Sequence, residues 1–168
     1  MINFCIFEDS YYKQLFPITE TRPACSTLVG ISSIFEKIQS YYDHGNITLH
    51  CRDYIKPTLA KKYPNNGINN INTGAPCFFI NGRLIMDNNI ANTFAQIKGK
   101  NNYLFTYNNQ VVSAFVRGDL LQEMSLLLKD IPTPSDMIQI LRNKCICKEL
   151  DNVNMLTNIW DLVKLNPQ

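Results

Sequence analysis

The sequence lacks the features that mark membrane, secreted and nucleic-acid-binding chains. Among its 168 residues, 16 basic and 14 acidic side chains leave a net charge of +2 at neutral pH. So small a charge gives no reason to expect a nucleic acid or an anionic membrane as a partner. No apolar run is long enough to cross a bilayer, and the amino terminus lacks the basic and long apolar regions of a signal peptide. We therefore expect a cytoplasmic protein.

Histidines and closely paired cysteines are also scarce. The one close cysteine pair, Cys145 and Cys147, has no second pair or nearby histidine to complete four zinc ligands. The other cysteines are scattered, and one in an apolar run, such as Cys5, packs as a small hydrophobe. We predict six free thiols and structural roles for His44 and His50. A Cys–His nucleophile pair stays open, because such partners meet in space rather than in sequence.

What the chain does contain is the pattern of one α/β domain over residues 1–168. Its hydrophobic content of 45% is typical of globular domains. The apolar run Ile2 to Phe7 predicts a buried strand, and a loop follows that leads into an amphipathic helix. In open α/β sheets ligands bind outside the carboxyl ends of the strands, so we expect a small-molecule site to begin at residues 8–24.

The signals for helices and strands continue along the chain. Ser33-Ile-Phe-Glu36 fits a capping box, and its helix is expected to run to Tyr42 with Gly45 as a stop. Asp119 with Gln122 indicates a second capping box, and Thr133-Pro134 a further helix start. We also expect strands at 47–51 and 77–80, a hairpin of 103–107 with 111–116, and an irregular loop at 64–74. Further helices are expected at 88–97, between Asp87 and Gly99, and around 159–163. Cys145 is expected on the face of the helix that starts after Thr133. The predicted fold is a mostly parallel, Rossmann-like sheet flanked by helices, with one hairpin.

Arg22 is the first candidate site residue, because it stands between Thr21 and Pro23. The proline favours extended backbone at Arg22, which projects the guanidinium out of the loop. The donors of a guanidinium form a rigid fork that suits phosphate or carboxylate. The alternatives are a solvated arginine or an ion pair with Glu20 or Asp9.

A polar triplet, Asn81-Gly82-Arg83, follows the apolar run that starts at Cys77. The end of a strand is where α/β sites collect ligand-binding groups, since asparagine supplies a donor and an acceptor and arginine a charge. A plain Asn-Gly turn is an equally good interpretation.

Several of these segments match the motifs of one family. They are Phe7-Glu-Asp9, Pro17-Ile-Thr19-Glu-Thr21-Arg22-Pro23, Gly30-Ile-Ser-Ser-Ile-Phe-Glu-Lys37, Phe79-Ile-Asn81-Gly-Arg83-Leu, and Ile159-Trp-Asp-Leu162 with Leu165-Asn166. In this order they resemble the amino-terminal domain of sugar nucleotidyltransferase-like proteins, which are related to the bifunctional N-acetylglucosamine-1-phosphate uridylyltransferase.

The resemblance implies transfer of a nucleotidyl group from a nucleoside triphosphate to a sugar 1-phosphate. Arg22 would neutralise phosphate charge, Lys13 would assist it, and Mg²⁺ would bridge the phosphates. The substrate-binding residues implied are Asp9, Thr19, Thr21, Asn81 and Arg83. A homo-oligomer or a partner chain with a β-helix is implied as well.

The sequence departs from the family pattern at three places. Asp9-Ser-Tyr-Tyr-Lys-Gln14 replaces the usual glycine-rich loop, Ala24 stands where a lysine is usual, and Val29 precedes Gly30 where an arginine is usual. Tyrosines do not allow the close backbone approach to phosphate that glycines allow. A degenerate domain that only binds a nucleotide, a sugar phosphate or a protein is therefore a second hypothesis, and a truncated domain or fragment is a third.

Overall fold

A computed structural model describes residues 2–42, 45–97 and 100–165. In chain order the strands are β1 (Asn3–Phe7), β2 (Leu28–Val29), β3 (Ser32–Ser33), β4 (Asn46–Leu49), β5 (Gly67–Ile68), β6 (Cys77–Asn81), β7 (Tyr103–Tyr107), β8 (Gln110–Val116) and β9 (Ile146–Glu149). The helices are α1 (Ile34–Gln39), α2 (Lys56–Lys62), α3 (Asn88–Ala95), α4 (Asp119–Leu127), α5 (Pro134–Leu141) and α6 (Asp161–Leu165). His44, the predicted helix stop Gly99, and Asn166 lie outside the described residues.

Seven strands form the central sheet in the order β5-β4-β1-β6-β8-β7-β9. Strand β1 pairs parallel with β4 and β6, and β4 pairs parallel with β5. Strand β8 is antiparallel to both β6 and β7, whereas β9 is parallel to β7. This confirms the predicted α/β fold with a mostly parallel sheet.

Both faces of the sheet are covered, which explains why its central strands are apolar throughout. Ile6 of β1 belongs to one buried cluster, which includes residues of α1, α2 and α3. Its neighbours Cys5 and Phe7 belong to a second cluster on the opposite face, with residues of α4 and α5. Cys5 is fully buried, as predicted for a strand in the middle of the sheet.

Local helix signals were mostly correct. The Ser33 hydroxyl accepts from the Glu36 amide at 3.2 Å and the Glu36 carboxylate accepts from the Ser33 amide at 2.6 Å, which confirms the first capping box. The helix ends at Gln39, however, and not at Tyr42. The capping box predicted at Asp119 is wrong, because Gly118 caps α4 and makes no side-chain hydrogen bond.

The hairpin of β7 and β8 is confirmed, and its turn explains the sequence. Asn108 and Asn109 both have positive φ, at 49° and 57°. Two such residues in a two-residue loop match the right-handed twist of the strands that they join, and asparagine tolerates this conformation better than most residues.

Three short strand features were missed. Strand β5 lies inside the segment 64–74 that was predicted to be irregular, β9 follows α5, and β2 with β3 forms a small antiparallel pair. Cys145 was predicted on the face of a helix, but α5 ends at Leu141. Among the described helices none is long and apolar enough to span a membrane.

Candidate functional site

Charged side chains meet where the parallel strands end. Glu8 and Asp9 follow β1 directly, Arg52 comes shortly after β4, and Arg83 comes shortly after β6. All four are 6% exposed or less. Parallel neighbours place their carboxyl ends on one edge of the sheet, which brings these residues together although 75 positions separate the first from the last.

Asp9 and Arg83 form a buried ion pair with two parallel hydrogen bonds. The Arg83 Nε and Nη2 atoms lie 2.9 and 2.7 Å from the two oxygens of Asp9. The Asn81 amide donates to Asp9 at 2.8 Å and to the Val111 carbonyl at 2.9 Å, while its oxygen accepts from the Arg83 amide. Arg83 also donates to the side chain of Gln110 at 2.7 Å. The three predicted residues Asp9, Asn81 and Arg83 therefore do converge, but on one another.

Asn81, Gly82 and Arg83 also form a tight turn, with the Leu84 amide donating to the Asn81 carbonyl at 3.0 Å. A Cβ atom on Gly82 would lie 3.1 Å from the Phe7 carbonyl oxygen. The turn interpretation is therefore confirmed, and the polar side chains of the triplet lie in the strand-end network, where a ligand-binding role stays a prediction.

Glu8 and Arg52 form a second buried pair beside the first. The Arg52 Nε atom lies 2.9 Å from the Glu8 carboxylate, which also accepts from the Ala24 amide at 3.1 Å. Burial raises the pKa of the Glu8 carboxyl, and the Arg52 guanidinium works against that rise. Arg52 further donates to the carbonyls of Thr19 and Arg22, so it fastens the loop after β1 to the segment that follows β4.

The tyrosines that stand in place of glycines cover these two arginines. Ser10–Leu15 is a 3-10 helix, and the Asp9 side chain caps it by accepting from the Tyr11 amide at 3.2 Å. The ring centroid of Tyr12 lies 4.0 Å from the Arg52 guanidinium, and that of Tyr11 lies 5.0 Å from the Arg83 guanidinium. Both distances are within the range of cation–π attraction.

The Asp9–Arg83 pair occupies the place where the strand order reverses. From β1 the chain goes to β4 and β5 on one side and then returns to β6 on the other. Open α/β sheets bind ligands in the crevice at such a switch point. Here the crevice between β1 and β6 is filled by side chains that satisfy one another.

Thr19 and His50 support this arrangement from within. The Thr19 hydroxyl donates to the Tyr12 carbonyl at 2.7 Å, and Thr19 is fully buried. The His50 Nδ1 atom accepts from the Glu8 amide at 3.3 Å, and burial lowers the pKa of His50 to about 4. The imidazole also hydrogen-bonds backbone groups of Leu128 and Asp130. Within the described chain, then, His50 is bonded to the backbone and not to a cysteine.

The side chain of Arg22 lies apart from these networks, although its carbonyl accepts from Arg52. Its side chain is exposed and makes no ion pair with any described residue, and Asp9, one of its two predicted partners, is held by Arg83. Arg22 lines a cavity of about 440 Å³ between the loop after β1 and helix α2. The lining residues are Thr21, Arg22, Pro23, Ser26, Ile55, Thr58, Leu59 and Lys62. Thr21 thus joins Arg22 in the cavity, whereas Lys13 is exposed on the 3-10 helix and is not among the lining residues.

Arg52 of the strand-end network and Lys62 and Ser26 of the cavity wall were not predicted from the sequence. Arg52 had a usable signal, because it follows a predicted parallel strand as closely as Asn81 and Arg83 follow theirs. Lys62 looks in sequence like any basic residue in the last turn of a helix, where the dipole favours positive charge. Ser26 ends a short 3-10 helix, Ala24–Ser26, and carries no motif.

The carboxylates at this edge do not fit the magnesium ion that the resemblance implies. Each oxygen of Glu8 and of Asp9 already accepts two hydrogen bonds from described groups. The described residues also contain no group of three or more His, Cys, Asp or Glu placed to hold a metal. We assign no magnesium ligand to them.

Comparison with solved structures agrees with this fold. The CTP:phosphocholine cytidylyltransferase LicC of Streptococcus pneumoniae superimposes with a TM-score of 0.61 at 11% identity, over 99% of this chain and 98% of that one. The 4-diphosphocytidyl-2C-methyl-D-erythritol synthase of Anaerococcus prevotii does so with a TM-score of 0.57 at 8% identity, over 99% and 97%. At such identities the similarity shows the fold alone. No curated protein matches the sequence closely enough to be counted as a relative.

The family model is the stronger finding, because it rests on sequence and extends over nearly all of the chain. A model described as sugar nucleotidyl transferase matches residues 4–168. The matched region contains both arginine–carboxylate pairs, the tyrosine-bearing 3-10 helix and the Arg22 cavity. The chain therefore belongs to the sugar nucleotidyl transferase family.

Proposed function

We propose that this chain transfers a nucleotidyl group from a nucleoside triphosphate to a sugar 1-phosphate, and that it binds substrate phosphate beside Arg22. The observation that carries the proposal is the guanidinium of Arg22, which has no ion-pair partner among the described residues and lines a cavity between the loop after β1 and helix α2. Family membership supports the reaction class.

The reaction needs placement and neutralisation of charge more than covalent help from the protein. A phosphate oxygen of the sugar 1-phosphate attacks the α-phosphorus of the triphosphate, the bond from that phosphorus to the bridging oxygen breaks, and pyrophosphate leaves. Negative charge is shared among the phosphates throughout, so a fixed cation lowers the barrier. Arg22 supplies that cation with donors in a rigid fork.

The other predicted residues take narrower roles in this proposal. Thr21 offers a hydroxyl to substrate inside the cavity, and Lys13 would assist from the neighbouring 3-10 helix. Asp9, Asn81 and Arg83 act through position, since their polar atoms are paired with one another.

Binding of a phosphate compound without transfer is the second candidate function. The occupied crevice between β1 and β6 favours it, because a nucleotide there would have to displace a buried ion pair and the tyrosine above it. Breaking such a pair costs several kcal/mol.

Titration calorimetry and a pyrophosphate-release assay, run with several nucleoside triphosphates and sugar 1-phosphates, distinguish the two functions. Arg22→Ala should weaken phosphate-dependent binding by about 1.5 to 3 kcal/mol, the value of hydrogen bonds to charged groups, without lowering the melting temperature. Arg22→Lys should restore only part of the loss, and Arg142→Ala, which removes another exposed arginine, is the matched control. Binding without pyrophosphate release would favour the second function. If no phosphate compound binds at millimolar concentration, both are wrong.

A further inference from the structure

The loop that presents Arg22 has no regular structure of its own. Residues 20–23 belong to no helix or strand, and the cavity that Arg22 lines depends on where this loop lies. An arginine on such a loop binds well only if other groups fix its backbone, because binding energy is lost when the loop must first be ordered. The position of Arg22 is therefore set from outside the loop.

The side chain of Arg52 supplies this fixation. Its Nη2 atom donates to the carbonyl oxygens of Thr19 and of Arg22, the latter at 2.9 Å. Its Nη1 atom donates to the hydroxyl of Tyr54, which in turn donates to the Glu20 carbonyl at 2.9 Å. A single guanidinium thus holds three carbonyls of one loop, two of them directly and one through a hydroxyl.

Glu8 keeps Arg52 in the orientation that these bonds require. The two oxygens of Glu8 accept from the Nε atom of Arg52 at 2.9 Å and from its Nη2 atom at 3.3 Å, and Glu8 also accepts from the Ala24 amide. The Tyr12 ring covers the guanidinium. Both members of the pair are at most 6% exposed, so water does not compete for their hydrogen bonds.

Arg52 acts on the cavity only through the loop. It is not among the residues that line the cavity, and its charge is paired with Glu8. The neighbouring Asp9–Arg83 pair is equally buried, but none of its described hydrogen bonds reaches residues 19–24. Of the two ion pairs at the strand ends, only the Glu8–Arg52 pair therefore holds the backbone of Arg22.

We propose that Arg52 is a positioning residue, which fixes the backbone of Arg22 and so orients its guanidinium toward the substrate phosphate. This inference rests on the proposed function and adds a residue that does not itself touch the substrate. Arg52→Lys is the informative change, because it keeps the positive charge that Glu8 needs. An ammonium does not reproduce the planar fork of donors that reaches the carboxylate and two carbonyls together.

The test is titration calorimetry of full-length variants with glucose 1-phosphate and with adenosine triphosphate. Arg52→Lys should weaken phosphate-dependent binding about tenfold and Tyr54→Phe about threefold, since each removes hydrogen bonds that orient a charged group. Tyr41→Phe is the matched control and should leave affinity unchanged, because the Tyr41 hydroxyl donates to Asn88 and neither residue lines the cavity. Leu141→Ala removes a fully buried side chain on the opposite face of the sheet from α2, and so shows what lower stability alone does to affinity.

Two further measurements distinguish a positioning role from a purely structural one. In the Arg22→Ala background, Arg52→Lys should weaken binding no further, because the guanidinium that it orients is gone. Without any ligand, Arg52→Lys should speed amide hydrogen exchange in residues 19–24 and leave exchange in α5 unchanged.

Three results would overturn the inference. Losses from Arg52→Lys and Tyr54→Phe no larger than those of the controls would mean that Arg22 needs no such support. A further loss in the Arg22→Ala background would mean that Arg52 acts independently of Arg22, and unchanged exchange in residues 19–24 would mean that Arg52 does not hold the loop. In each case the loss from Arg22→Ala would remain, so the proposed function would stand. If the unmodified chain binds neither compound, both proposals are wrong.

Discussion

Arg83 is the largest fully buried side chain in the described part of the molecule. A buried charge is tolerated only when it is paired and hydrogen-bonded, and Arg83 meets this condition through Asp9, Gln110 and the Leu156 carbonyl. Its contribution is better judged by what happens when one partner is lost than by the strength of the pair. Removal of one partner leaves the other as a buried charge without a counterion.

Arg83→Met should therefore lower the free energy of unfolding by about 3 to 5 kcal/mol, because Asp9 stays buried without its counterion. Urea denaturation at pH 7 measures this directly. The exposed pair of Lys144 and Glu123 provides the contrast, since Lys144→Met should cost no more than about 1 kcal/mol. Equal losses at the two sites would mean that burial of the Asp9–Arg83 pair adds nothing.

The lowered pKa of His50 predicts how the stability of the fold depends on pH. Burial lowers its pKa from 6.5 to about 4, so the folded chain keeps a neutral imidazole where the unfolded chain binds a proton. Stability should therefore fall as the pH drops from about 6.5 to about 4, by up to about 3 kcal/mol for this group. In His50→Gln that part of the slope should disappear, which denaturation curves at several pH values would detect. An unchanged slope in the variant would contradict the assignment to His50.

At the scale of elements, the turn of Asn108 and Asn109 shows what local sequence decides. Both residues hold positive φ, which costs a β-branched side chain about 1 to 2 kcal/mol. Asn109→Val should destabilise the chain by about that amount, whereas Asn109→Gly should leave stability equal or higher. Thermal melts of both variants check the prediction, and a loss in the glycine variant would show that the asparagine side chain matters more than the backbone.

The strongest local signals were the ones that sequence could predict. The capping box at Ser33, the helix start at Thr133, the asparagine hairpin and the apolar run of β1 depend on neighbours within a few positions. Strand β9 was missed because all four of its residues are exposed, so no alternation of apolar and polar residues marks it. Its pairing with β7 is a tertiary choice, made by backbone hydrogen bonds and by side-chain contacts such as that of the Thr106 hydroxyl, which donates to Glu149.

The candidate site was also predictable from the sequence only in part. Asp9, Asn81 and Arg83 do lie close together, because residues that follow neighbouring parallel strands are placed at the same edge of the sheet. It did not reveal that the three would satisfy one another, since that depends on side-chain geometry at a separation of more than seventy residues. The convergence of Arg22 and Lys62 on one cavity has the same long-range origin.

At the scale of the whole molecule, the reactivity of the buried cysteine thiols measures unfolding of the chain. Cys5, Cys25, Cys51 and Cys77 are buried, and burial raises the pKa of the Cys77 thiol to about 12. A thiol reacts as its thiolate, so these four should resist alkylation in the native protein.

Iodoacetamide at pH 8 should therefore modify the exposed Cys147 first, and the four buried thiols only when denaturant unfolds the chain. Mass spectrometry after timed quenching gives the order of modification, and titration in denaturant without reductant should count six thiols. Early modification of Cys25 would show that the loop beside the Arg22 cavity opens by itself. Fewer than six thiols would contradict the predicted reducing compartment.

Arg52 stands at the entrance to α2 and holds the carbonyls of Thr19 and Arg22 across the gap, so a single side chain ties together the two walls of the Arg22 cavity. With Glu8 on its other side, that guanidinium has little freedom to release either wall. The opening of the Arg22 cavity is therefore fixed before a ligand binds, and we expect binding in one step, without closure of the cavity. The observed rate constant of association should therefore rise in proportion to ligand concentration, without reaching a plateau.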